Sequence, residues 1–99
     1  MIVRLIIAKV LHNRIHDYTD LVKNKWGPLL EKHGGKFLGV FVNIEKTEHE
    51  VIGLMRFNSM EHQRAVTEAM KNDEQFPRLT AVMQPMLQRI EIRLIEPVE

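Results

Sequence analysis

Ile2 to Val10 reads IVRLIIAKV, and what this stretch demands of its surroundings decides the fold. It is rich in β-branched residues and nearly apolar throughout, broken only by Arg4 and Lys9, which marks a central strand. Alternate residues of a strand point to opposite faces. Val3, Leu5 and Ile7 therefore share one face, and Ile2, Ile6 and Ala8 the other. Both faces are apolar, so both need cover.

The chain outward from this strand supplies cover for one face. After His12 and Asn13, with Asn13 a candidate N-cap, a helix is expected to run to about His33. Ile15, Tyr18, Val22, Trp26, Leu29 and Leu30 recur at three- and four-residue steps, which makes one buried stripe. Gly27-Pro28 predicts a kink or break within it, and Gly34-Gly35 ends it. Lys36 to Glu45 and Glu50 to Phe57 read as two strands, joined by a charged turn at Lys46 to His49 into a hairpin. Ser59 caps a second helix to about Asn72. Phe76 to Met83 is a further helical piece, stopped near Pro85. Gln88 to Ile95 alternates strictly and closes the chain as a strand.

The order is therefore β-α-β-β-α-β, an α+β, ferredoxin-like domain spanning 1–99. In the usual folding of that order the four-stranded sheet is antiparallel, with strand order 4-1-3-2 and both helices on one face. Parity then exposes a problem. On the second strand Phe37 and Phe41 oppose Leu38, Val40, Val42 and Ile44. On the third, Val51, Met55 and Phe57 oppose Ile52 and Leu54. Two helices cover one face only, and the other would leave large apolar side chains in water. A second copy packed on the same patch solves this, so a homodimer is expected.

Composition excludes several function classes. The formal net charge is +1, with lysines and arginines scattered, which gives no electrostatic case for nucleic acid or an acidic membrane. The chain has no cysteine, hence no thiolate metal site and no thiol nucleophile. No segment reaches the ~20 apolar residues of a membrane helix, and no signal peptide is evident. A cytoplasmic location is expected.

The candidate chemistry is sparse. His12 and His16 have a helical metal spacing, but His12 precedes the cap and no third ligand follows, so no metal is expected. His33 fits the negative end of the first helix. His62 reads as a surface histidine. Arg89, Glu91 and Arg93 share a face of the last strand and read as structural pairing. Glu48, His49 and Glu50 read as solvent-facing. Met55, Met70, Met83 and Met86 read as core. No phosphate loop or nucleophile elbow is found, and no catalytic residue or cofactor is assigned. Three residues remain as ligand-binding candidates. Tyr18 and Trp26 lie on the buried stripe and carry polar handles. Arg56 sits late in an apolar strand, where its charge must reach the rim, pair with a carboxylate such as Glu91, or meet an anionic ligand.

Several motifs together resemble the NIPSNAP family, within the dimeric α+β barrel superfamily. They are Trp26-Gly27-Pro28-Leu29-Leu30-Glu31-Lys32-His33-Gly34, Gly39, Arg56-Phe57-Asn58-Ser59, and Pro85-Met86-Leu87 through Arg89, Glu91 and Arg93. The resemblance implies a homodimer whose two sheets face each other as a barrel. In many relatives of that superfamily a small-molecule pocket lies between sheet and helices. Some are cofactor-free oxygenases, some degrade haem, some isomerise small acids. Where the family sets polar and aromatic groups on the first and third strands, this sequence has Ile6, Ala8, Gly53 and Met55, which implies a more apolar pocket. The expectation is a homodimer of unassigned molecular function that binds a small, largely apolar ligand. The alternative is a small cofactor-independent enzyme, an oxygenase or isomerase, using the same pocket.

Overall fold

The computed structural model describes residues 1–45 and 49–98. The expected turn residues 46–48, and with them Glu48, lie outside the described residues. Four strands, β1 (Ile2–Val10), β2 (Lys36–Val42), β3 (Glu50–Phe57) and β4 (Leu87–Ile95), form one sheet of order β2-β3-β1-β4. Every neighbouring pair is antiparallel. The apolar run of β1 lies between β3 and β4, as its composition requires. The sheet is thus the antiparallel, ferredoxin-like arrangement that the element order predicts.

The first helical segment differs from a kinked helix. A 3-10 turn (His12–Arg14) leads into α1 (Ile15–Leu21), a π-helical stretch (Val22–Trp26) and α2 (Gly27–Lys32). Asn13 lies inside the opening turn, and no side chain caps the start of either element. The expected disturbance at Gly27-Pro28 takes the form of the π turn, in which the Gly27 N–H donates to the Val22 carbonyl. Proline lacks an N–H and its ring crowds the carbonyl four residues back. A wider turn just before Pro28 absorbs that conflict without breaking the helix. Gly27 also lets the helix approach β2, since a Cβ there would lie 2.8 Å from the Phe37 ring.

The second helix, α3 (Met60–Lys71), starts at Ser59, whose hydroxyl accepts from the His62 N–H. α4 (Gln75–Met83) follows, and a 3-10 turn through Pro85 leads into β4.

The faces of β1 and β3 follow their parity. Ile2, Ala8, Val10, Val51, Met55 and Phe57 are buried beneath the helices. The faces of β2 do not. A bulge at Leu38 shifts the register between Phe37 and Gly39, and Gly39 takes φ +140°, which a β-carbon disfavours. The extra residue brings Phe37 onto the same face as Val40 and Val42, and turns Leu38 and Phe41 to the other. Ile44, expected on that strand, lies beyond its end and is 94% exposed.

Two apolar clusters fill the helix side of the sheet. One gathers Ile2, Leu29, Leu30, Met55, Phe57, Val66 and Met70. The other gathers Ala8, Val10, Tyr18, Val22, Val51, Met83 and Met86.

Candidate ligand-binding site

Between the two clusters the core is open. A cavity of about 290 Å³ lies there, between the sheet and the helices. Its origin is local. Gly53 pairs with Ile6 on β1 and with Val40 on β2, so the middle of the sheet lacks a side chain on the helix side. A Cβ at Gly53 would meet no atom nearer than 3.8 Å. Glycine inside a strand often marks such a gap. Ile6, Val40, Val51 and Met55 form the sheet wall around it, and Met70, Phe76 and Met83 belong to the helical wall.

The π turn sets the remaining wall. Tyr18, Val22 and Trp26, four residues apart, all line the cavity. Burial pushes the Tyr18 hydroxyl up to about 12, so it stays a neutral phenol at ordinary pH. Trp26 stands edge-on to Phe37, with ring centroids 6.4 Å apart.

One charged group lies deep in this apolar setting. Arg4 is only 6% exposed. Its Nε donates to the Met55 sulfur at 3.1 Å and its Nη1 to the Thr67 hydroxyl at 2.9 Å. The Thr67 hydroxyl in turn donates to the Gln63 carbonyl at 2.8 Å. The guanidinium carbon lies 5.0 Å from the centre of the Phe57 ring and 6.0 Å from that of Trp26, within cation–π range. Burial holds the pKa of Arg4 below the ordinary arginine value. The group nonetheless remains charged, because guanidinium does not deprotonate in proteins. Among the described residues, no carboxylate forms an ion pair with it. Lys71 also lines the cavity, whereas among the described residues no Asp, Glu or His lines it.

Of the three ligand-binding candidates, Tyr18 and Trp26 are brought together here. Arg56 is not. It is exposed, it alternates with Met55 and Phe57 and so points to the opposite face of the sheet, and it does not line the cavity. Of the three readings of Arg56, its exposure fits the one in which the charge reaches water, while Glu91 accepts from Arg93, with Nη2 to Oε1 at 2.6 Å. Sequence reasoning missed Arg4. The signal was present: Arg4 shares parity with Ile2, Ile6, Ala8 and Val10, a lone charge on a face the helices bury.

The histidines are held elsewhere. His12 Nδ1 lies 2.6 Å from His49 Nε2, and His16 pairs with Asp20 at 3.4 Å. His33 Nε2 lies 2.8 Å from Asp73. His62 Nδ1 accepts from the Asn58 N–H at 2.9 Å, and its ring stands edge-on to Phe57. Among the described residues, no group of three or more His, Cys, Asp or Glu side chains could hold a metal ion. Nor is any helix long and apolar enough to cross a membrane.

Comparison with known proteins adds a family. The NIPSNAP family model matches residues 5–99. No curated protein matches. Among solved structures, the chain is similar to an uncharacterized NIPSNAP domain protein from Burkholderia xenovorans, at 15% identity and a TM-score of 0.89, over 99% of this chain and 95% of that one. A NIPSNAP family protein from Agrobacterium tumefaciens gives 17% identity and a TM-score of 0.88, over 99% and 93%. An antibiotic biosynthesis monooxygenase gives 16% identity and a TM-score of 0.69, over the full length of both chains. At these identities the structural likeness speaks for the fold alone.

Proposed function

The chain belongs to the NIPSNAP family, and we propose that it acts as a homodimer that binds a small, largely apolar molecule in the cavity between its sheet and its helices. The cavity itself carries this reading. At about 290 Å³ it stands near the lower end of ordinary ligand pockets. Its walls are mostly aliphatic, methionine and aromatic side chains. A glycine opens it in mid-sheet, where any larger residue would fill it.

The dimer is supported by the other face of the sheet. Val3, Leu5 and Ile7 are only half-buried, Leu54 and Ile52 likewise, and Phe41 is 50% exposed. No described element lies over them. Burial of apolar area contributes roughly 25 cal/mol per Å², which favours pairing this face with a second copy. The cytoplasm is the compartment proposed for it, and cell fractionation checks that.

A binding role is favoured over an enzymatic one by the cavity lining. A cofactor-independent oxygenase or isomerase needs a base within reach of the substrate. Among the described residues the wall holds no Asp, Glu or His, and Tyr18 is held as a neutral phenol, so the described lining supplies binding groups rather than a poised base.

Trp26 makes the test simple, because it is the one tryptophan of the chain and it lines the cavity. Addition of 1-octanol is expected to change its fluorescence saturably. In Gly53→Leu the added side chain occupies the cavity, and affinity is expected to fall roughly tenfold or more while the fold is retained. An equal response from both proteins would contradict the proposal.

A further inference from the structure

A cavity this apolar has no need of a buried cation. Burying a guanidinium without an opposing charge is costly, and aliphatic substitutes of similar length exist. Arg4 is nevertheless held deep, on the face of β1 that looks into the cavity. It is not mobile filler. Thr67 and Met55 each accept one of its N–H groups, and Phe57 and Trp26 lie within reach of its charge. Thr67 is itself tied to the Gln63 carbonyl. These contacts aim the side chain, yet they use neutral and weak acceptors, and they engage two of the five guanidinium N–H donors. Lys71 adds a second positive charge to the lining, and no described lining residue is acidic. The cavity thus presents positive charge within an apolar wall, and among the described residues no carboxylate neutralises Arg4.

We propose that the ligand of this cavity is an amphiphilic organic acid, with its carboxylate paired to Arg4 and its hydrocarbon body against the apolar wall. The inference rests on the cavity being a ligand site and specifies the ligand's chemical class. A planar carboxylate matches the guanidinium fork, which can hold it through two parallel hydrogen bonds. In a water-poor site such a pair also rejects the neutral analogue, because that analogue leaves the buried charge unmatched. Thr67 and Gln63 are positioning residues, since they act through Arg4.

Octanoate and 1-octanol share the same chain length and differ in the head group, so titrating each against Trp26 fluorescence tests the inference. The wild-type protein is expected to bind octanoate roughly tenfold to a hundredfold more tightly than octanol. Arg4→Met keeps the length and apolar packing of the side chain, and is expected to abolish that preference while still binding octanol. Arg4→Lys, which keeps the charge, is expected to retain part of it. Lys71→Ala, which removes the exposed second charge of the lining, is expected to lower the preference less than Arg4→Met does. The wild-type comparison requires no variant to fold. Equal binding of octanoate and octanol by the wild-type protein would overturn the acid assignment and leave the apolar site standing. Binding of neither would overturn both. A preference that survives Arg4→Met and disappears in Lys71→Ala would place the anion at Lys71 and overturn the role of Arg4.

Discussion

Asp73 closes the junction between the first and second helical segments. Its Oδ2 lies 2.8 Å from both Lys32 Nζ and His33 Nε2, and its Oδ1 accepts from the Gln75 N–H at 2.9 Å. The hydrogen bond from Lys32, then that from the Gln75 backbone, then that with His33 hold its carboxyl well below the usual carboxylate range. The lowered value fixes the sign of the pH effect. A carboxylate whose folded pKa lies below its unfolded value of about 3.9 stabilises the protein above that pH, and this contribution is lost as pH falls through the folded value. Asp73→Asn is therefore expected to melt below wild type at neutral pH, with the gap narrowing once the pH drops below about 4. A gap independent of pH across that range, followed by thermal unfolding, would contradict this account. At this scale the sequence was readable in part. Tyr18 and Trp26 stand out by periodicity, and both line the cavity. Arg56 stands out by its charge among apolar neighbours, yet it emerges on the far face, where it is solvated. Arg4 looked like an interruption of an apolar strand. Its importance depends on which face the helices cover, and parity alone does not say which.

The elements were legible wherever hydrogen bonding and periodicity are regular. All four strands, the capped helix α3 and the helical piece before β4 follow from the pattern. The differences arise where one extra residue is inserted. The π turn inserts one into the first helical segment and carries Tyr18, Val22 and Trp26 along a common wall. The bulge at Leu38 inserts one into β2 and exchanges which side chains face the helices. A period count assumes no insertions, so it placed Val40 and Val42 opposite Phe37 when they share its face. Gly39 sustains that bulge at φ +140°, and a Cβ there would also lie 3.3 Å from the Phe41 ring. Gly39→Ala is expected to destabilise the fold by roughly 1–3 kcal/mol, measured by urea denaturation. A change within a few tenths of a kcal/mol would show that the bulge does not depend on that backbone conformation.

At the scale of the whole molecule, two apolar surfaces stand out. The outer face of the sheet, with Leu5, Ile7, Leu54 and Phe41, is the one proposed to meet a second copy. The other is on β4, where Ile90, Ile92 and Leu94 lie on the helix side of the sheet but are 43–59% exposed. Ile90 and Ile92 line the cavity, so this second surface is continuous with the proposed ligand site. The second apolar face was legible in the sequence, because β1 is apolar on both faces. The cavity was legible only through the family resemblance and not through periodicity, because it arises from the absence of a side chain at Gly53 where three strands align. The most direct test of the proposed function is a native mass spectrum of the protein isolated from its own cells without denaturation. The expected result is a species of twice the 11.6 kDa chain mass that carries an added small molecule in the wild-type protein and none in Gly53→Leu. A bare chain of single mass from both proteins would contradict it.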